Sequence, residues 1–249
     1  MKTAGQVEPA TYRGPDGRAV QRMFAEIAHR YDFLNHLLSV SIDKRWRRVA
    51  VAKVRELLPG GAAPGVVDLC SGTGDLALEL YKGLGVPVVS SDFCHPMLIR
   101  SQAKIEADRS APSVRTVEAD ALSLPFPDGA FAAATNAFGL RNLEDPQTGL
   151  SEMLRILRPA GAVVILEFSK PVNSLLRPIF GFYFRRILPR LGAWISGQRF
   201  AYSYLPDSVR KFPSQDELAA MMRKAGFADV GYRNLSGGIA ALHWGRRPY

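Results

Sequence analysis

Between residues 66 and 168 the chain switches repeatedly from short apolar runs to helical periodicity, and this alternation restricts the fold more than any other feature. Val66-Val67-Asp68-Leu69-Cys70 is one such run, closed by the glycine turn Ser71-Gly72-Thr73-Gly74 and followed by a helical pattern to Lys82. The unit then recurs. Strands are expected at 87–92, 114–120 and 131–137, with a helix opened by Pro96 that runs to about Asp108 and another at 146–157. Pro159-Ala160-Gly161 is read as a turn into a fifth strand at 162–168. Short runs with no polar alternation are buried on both faces, as the strands of a mainly parallel sheet between two helical layers are. The pattern predicts a doubly wound α/β domain. A helix at 214–225 and two more strands at 229–234 and 239–244 complete it. Ser236-Gly237-Gly238 joins that last pair as an antiparallel hairpin.

The flanks read differently. Residues 1–15, punctuated by Gly5, Pro9, Gly14 and Pro15, read as a loose arm. Residues 16–58 have helical spacing, broken near Ser39-Val40-Ser41 and stopped by Pro59-Gly60-Gly61. Residues 170–206 form an irregular, basic, aromatic insert, so 16–249 is expected to be a single domain. With 47% hydrophobic residues such a domain buries a full core without disulfide staples. The two cysteines, Cys70 and Cys94, lack a paired spacing and read as small buried residues in a reducing compartment. No apolar h-region opens the chain, and no stretch approaches the roughly 20 apolar residues of a membrane span, so a cytoplasmic location is expected. A formal charge of +9 calls for an anionic partner, either nucleic acid or a phospholipid surface.

Asp68-Leu69-Cys70-Ser71-Gly72-Thr73-Gly74-Asp75 is the sharpest local signal. Gly72 to Ala77 also satisfies the dinucleotide fingerprint, and Asp92 follows Gly74 by 18 residues, so a nicotinamide enzyme is a rival reading. Charge separates the two. A dinucleotide places its pyrophosphate at the helix N-terminus, where Asp68 and Asp75 would repel it. S-adenosylmethionine carries an ammonium and a sulfonium, which acidic neighbours suit. Asp92, ending the second strand, is placed to accept from both ribose hydroxyls, and Asp120-Ala121, ending the third, to meet the adenine. For Asp75 the competing role is a first-turn acid that stabilises the helix dipole.

Several stretches make the chain similar to the quinone-biosynthesis C-methyltransferases. They include Met23-Phe24-Ala25-Glu26-Ile27-Ala28-His29-Arg30-Tyr31-Asp32-Phe33-Leu34-Asn35, the glycine loop and Ala121-Leu122-Ser123-Leu124-Pro125-Phe126-Pro127-Asp128. Phe138-Gly139-Leu140-Arg141-Asn142, Leu166-Glu167-Phe168-Ser169-Lys170-Pro171 and Ala225-Gly226-Phe227 match as well. The loop and the Pro-Phe-Pro-Asp stretch are shared with many class I methyltransferases, whereas the Phe-Gly-Leu-Arg-Asn and Glu-Phe-Ser-Lys-Pro stretches are far more specific. Where the family often has Ser before that Phe-Gly, this chain has Ala137, so a cofactor contact through that hydroxyl is absent. The resemblance implies the class I fold, with a seven-stranded, mainly parallel sheet and an antiparallel C-terminal strand. It also implies methylation of a ring carbon of a polyprenylated quinol. Demethylmenaquinol is the expected acceptor and a methoxy-polyprenyl-benzoquinol the alternative, because the motifs serve both.

The expected cofactor set is Asp68, Gly72, Thr73, Gly74, Asp92, Phe93, Asp120, Ala121 and Ala137. A ring carbon attacks a sulfonium methyl only when the neighbouring phenol oxygen is phenolate-like. Arg141 and Asn142, just past the fourth strand, are the catalytic candidates by resemblance. Arginine is a poor proton acceptor, so Arg141 is assigned to lowering the phenol pKa, with a structural pairing to loop carbonyls as the alternative. Tyr31 and Asp32 belong to a helical lid at 16–58, and Tyr31 is the third catalytic candidate, with packing on the helix face as its alternative role. His29, His36, His95 and His243 show no metal-ligand spacing, and no metal is expected.

An RNA or DNA methyltransferase is the rival the charge suggests. Amino-methylating enzymes of that kind carry an Asp/Asn-Pro-Pro-aromatic loop after strand four, and this chain has Asn136-Ala137-Phe138-Gly139 there. Nucleic acid is therefore not expected. Between Glu167 and Asp207 lie Lys170, Arg177, Arg185, Arg186, Arg190 and Arg199 but no acid, interleaved with Phe180, Phe182, Tyr183, Phe184, Trp194 and Phe200. Such a segment suits an anionic membrane surface on the inner face of the cell membrane, where a polyprenyl quinol resides. The competing use of that face is a solvated surface or a homodimer contact.

Overall fold

Pairing of the strands along the chain gives one seven-stranded sheet of order β3-β2-β1-β4-β5-β7-β6. The structure is a computed structural model, and it describes residues 12–31, 42–58, 65–108, 110–172, 178, 181 and 199–249. In chain order the elements are α1 (Gly17–Ile27), α2 (Ile42–Leu57), β1 (Val66–Leu69), α3 (Asp75–Leu84), β2 (Val88–Asp92), α4 (His95–Ala107), β3 (Val114–Glu118) and β4 (Phe131–Ala137). There follow α5 (Pro146–Ile156), β5 (Leu157–Phe168), α6 (Arg199–Lys211), α7 (Gln215–Lys224), β6 (Ala228–Leu235) and β7 (Ala240–Arg246). β1 to β5 pair in parallel, and β7 runs antiparallel between β5 and β6. The expected α/β fold and the C-terminal hairpin are both found. Strand order reverses between β1 and β4, so a crevice opens at the C-terminal ends of those strands.

The double burial of the strands follows from their side chains. Val66, Ala133 and Val164 face Trp46, Val54 and Leu80 on one side of the sheet, while Val67, Ala134 and Val163 face Leu150, Met153 and Leu218 on the other. Helix α2 is thus a core helix, with Trp46, Ala50, Val51 and Val54 all buried. Local chemistry sets the helix starts. Asp145 caps α5 by accepting from the amides of Gln147 and Thr148, with Pro146 in the first turn. Ser214 and Glu217 form a reciprocal capping box on α7.

Three expectations are corrected. Pro159-Ala160-Gly161 is not a turn before β5 but an irregularity within it: Phe131 pairs with Leu157, Ala133 with Ala162, and Ala160 takes φ 62°. The segment 170–206, read as irregular throughout, contains the start of α6, which Pro206 and the basic aromatic composition had hidden. The end of the expected loose arm is docked, because Tyr12 packs edge-on against Phe212 and the Gly14 amide donates to the Glu144 carbonyl at 2.9 Å. Residues 1–11, Asp32, His36, the break at 39–41, the stop at 59–61 and most of the insert lie outside the described residues. Those of the insert include Arg177, Arg185, Arg186, Arg190, Phe180, Phe182, Tyr183, Phe184 and Trp194, and the side chains of Arg199 and Phe200 are also undescribed.

Candidate active site

At the switch point the loop after β1 turns back on itself through Cys70 (φ 54°), Gly72 (φ 56°) and Gly74 (φ 82°). Gly74 has a second constraint: a Cβ there would lie 2.3 Å from the Ser101 hydroxyl on α4. The left-handed turn and that close approach both require glycine. The loop borders a cavity of about 580 Å³. Gly72 and Cys70 line it together with Asp92, Phe93, Asp120, Ala121, Ala137, Phe138 and Asn142 from the strand ends. Gly17, Gln21 and Phe24 of α1 cover it, together with Tyr31.

Asp92 ties two loops together. Its Oδ2 accepts from the Gly72 amide and its Oδ1 from the Cys94 amide, both at 2.8 Å. Each carboxylate oxygen keeps a second lone pair for a ligand hydroxyl. Burial lifts the Asp92 pKa to about 6 against the pull of those amides. Asp68 lies beneath the loop, fully buried, with Oδ1 accepting from Thr135 at 2.7 Å and Oδ2 without a partner. Burial chiefly, with the nearby Asp92 charge adding, raises its pKa to about 7. Asp120 is exposed at the cavity edge, and its Oδ1 accepts from the Leu122 amide at 2.9 Å.

Not every expected residue faces the cavity. Thr73 and Gly74 sit behind the turn, and the Thr73 hydroxyl accepts from Lys104 at 2.9 Å. Asp75 is held by Lys104 at 2.7 Å and Arg47 at 3.2 Å, so its charge is largely compensated. The electrostatic case against a pyrophosphate therefore rests on Asp68 and Asp92, and Asp75 acts as a first-turn acid of α3.

Arg141 and Asn142 lie in a 3₁₀ turn, Leu140–Asn142, positioned by Asn136. The Asn136 side chain donates to the Leu69 carbonyl and accepts from the Gly139 and Leu140 amides. Asn142 faces the cavity, whereas Arg141 is buried behind it. Arg141 donates to the Phe138 carbonyl, pairs with Glu167 at 2.6 Å and lies 5.4 Å from the Phe168 ring. Its side chain therefore braces the loop, the structural pairing that competes with a catalytic role. Tyr31 packs edge-on against Phe24 and over Gly72.

Two residues that sequence reasoning missed belong to the same end of the site. Glu167, buried in the Glu-Phe-Ser-Lys-Pro stretch, anchors Arg141, and burial raises its pKa above the carboxylate norm despite that guanidinium. The Tyr204 hydroxyl on α6 donates to Asn142 Oδ1 at 2.9 Å, and burial pushes its pKa to about 12. Tyr204 also lines a smaller cavity of about 310 Å³ with Tyr12, Val20 and Met23. The Tyr204–Asn142 bond thus stands between the two cavities. Glu167 could have been suspected as an acid inside an apolar strand, while Tyr204 left no local signal.

Comparison with known proteins places the whole chain among its relatives. The chain is 50% identical over 227 residues to the demethylmenaquinone methyltransferase of Thermus thermophilus, covering 91% of this chain and all of that one. It is 45% identical to the ubiquinone/menaquinone biosynthesis C-methyltransferase UbiE of Geobacter sulfurreducens, over 93% of this chain and 89% of that one. Among solved structures, the [4+2]-cyclase SpnF superposes with a TM-score of 0.69 at 16% identity, over 97% of this chain and 99% of that one, a likeness of fold. Residues 13–247 match the ubiE/COQ5 methyltransferase family, and the chain belongs to that family.

Proposed function

We propose that the protein transfers a methyl group from S-adenosyl-L-methionine to a ring carbon of a polyprenylated quinol, with demethylmenaquinol as its acceptor. The observation that carries this reading is one cavity with Asp92 and Asp120 on one wall and Tyr31 and Asn142 on another. The cofactor fits the residues present. Asp68, buried with an unpartnered oxygen beneath the loop, and Asp92 supply negative potential for a cationic ligand, and Asp92 has lone pairs for a ribose. Phe93, Ala121 and Ala137 supply the apolar walls that an adenine and a methionine chain need. When bound, the cofactor supplies an electrophilic methyl on sulfur.

The chain's own residues then prepare the acceptor. Asn142, oriented by Tyr204, holds the quinol oxygen or a water that removes its proton. Arg141 lies one residue away with its charge paired to Glu167, and with the Phe138 carbonyl this pair holds the turn in place so that Asn142 keeps its aim into the cavity. Tyr31 and α1 form the lid that excludes water. The name of the Thermus thermophilus relative supports the naphthoquinol over the benzoquinol. The enzyme works peripherally at the inner face of the membrane, since its acceptor is a lipid; among the described residues no helix is long and apolar enough to cross a bilayer.

The quinone profile of a strain lacking the gene tests the acceptor. Demethylmenaquinone should accumulate and menaquinone disappear, and restoring the gene should reverse both. An unchanged menaquinone pool, or a defect confined to ubiquinone precursors, would assign the acceptor elsewhere.

A further inference from the structure

The outer face of α2 forms a second cleft, away from the active site. It has a volume of about 580 Å³ and lies between α2 and the strands β6 and β7. Arg45, Arg48, Lys53 and Glu56 line one wall, Arg233 the other, and Leu242 and Trp244 the floor. Glu56 is held by Lys53 at 2.8 Å, and the Lys53 ammonium sits 4.2 Å from the centre of the Trp244 ring. Arg45, Arg48 and Arg233 are exposed, and among the described residues no carboxylate is within ion-pair distance of any of them. Three arginines from two walls therefore converge on one concavity with no counter-charge of their own.

The cleft is built into the sheet. Gly231 pairs with Trp244, and a Cβ on Gly231 would come within 2.7 Å of the indole. Glycine there lets the ring lie flat across the neighbouring strand. α2 itself carries six cations against two acids. Trp46, next to Arg45, turns inward, its ring 6.1 Å from both Phe138 and Phe168. Phe138 lines the active-site cavity, so that cavity and the cleft are walled off from one another by the same aromatic cluster.

We propose that this cleft is a docking site for the phosphate headgroup of an anionic phospholipid. Planar guanidinium forks match phosphate oxygens, and a lone Glu56 already paired with lysine does not oppose them. The indole suits the boundary between headgroups and acyl chains, where its apolar ring and polar N–H are both accommodated. The choice of a lipid over another phosphate source rests on the reading of the acceptor as a membrane quinol. Docking here would hold the active site beside the bilayer that contains its substrate.

Flotation of the full chain with vesicles of phosphatidylglycerol and phosphatidylcholine tests the proposal. The wild type should float at low salt and be released as salt rises. Arg45→Gln/Arg48→Gln/Arg233→Gln should bind about a hundredfold more weakly, at roughly a factor of five per cation. Its melting temperature and its turnover of a soluble short-chain quinol should be unchanged. Failure of the wild type to methylate that soluble quinol would sink the functional reading, while flotation would still report on the cleft. A triple variant that floats like the wild type, a wild type that never floats, or cleft-dependent binding to RNA in place of vesicles would each overturn the docking site.

Discussion

At the scale of single residues, the site is organised by carboxylates whose charge burial opposes. Asp92, with a pKa of about 6, and Asp68, of about 7, both hold protons more tightly in the folded state than an exposed aspartate does. Their contribution to stability is therefore complete below the unfolded value near 3.8 and is lost as pH rises through about 6 and 7. A bound cation reverses the preference by stabilising both carboxylates, so cofactor binding near pH 6 should expel protons. Affinity for S-adenosyl-L-methionine should rise between pH 5.5 and 7.5, by up to about tenfold for each carboxylate that shifts by one unit. Calorimetry at pH 6 in two buffers of different ionisation enthalpy reads the released protons directly. Heats that do not depend on the buffer would show that neither acid feels the cofactor. The acids themselves were visible in the sequence because each stands at or near a strand end. The Arg141–Glu167 pair was not, because its partners are 26 residues apart and meet only when β4 and β5 pair.

At the scale of elements, the alternation of apolar runs and helices was enough to place the β1–β5 units, since short runs without a polar face suit strands covered on both sides and little else. It failed where local chemistry and tertiary packing diverge. Pro206 disguised α6, and Pro159-Ala160-Gly161 imitated a turn inside β5. The helical segment before the sheet also divides in two. Whereas α2 is part of the core, α1 lies over the cavity, attached by the Gln21 side chain donating to the Phe93 carbonyl at 2.7 Å. Phe24, Ala28 and Met97 add a small apolar contact. Val20 and Met23 anchor the buried face of α1, so opening for ligand exchange would be confined to the edge that Gln21 and Phe24 hold over the cavity. Gln21→Ala should weaken cofactor binding about fivefold to tenfold, chiefly by faster release, at the cost of one hydrogen bond of about 1 kcal/mol. Hydrogen exchange should show the α1 amides gaining protection when S-adenosyl-L-methionine is added to the wild type. If those amides exchange equally with and without cofactor, α1 is not a lid.

At the scale of the whole molecule, a fold shared with distant methyltransferase-like proteins becomes a quinol enzyme through a few additions to its edges. In the proposed reading the sheet and its switch point provide the cofactor end, while α1, α6 and the 140–142 turn close the acceptor end. The excess of basic residues, puzzling for an enzyme whose cofactor is itself cationic, makes physical sense if part of it faces lipid. The central claim is the transfer itself. The purified protein should be given S-adenosyl-L-methionine labelled in its methyl group together with demethylmenaquinol, and the quinol fraction analysed by mass spectrometry. One labelled methyl on a ring carbon, formed in step with S-adenosylhomocysteine, is the predicted result; cofactor that stays intact, or label appearing in any product other than the quinol, would contradict it.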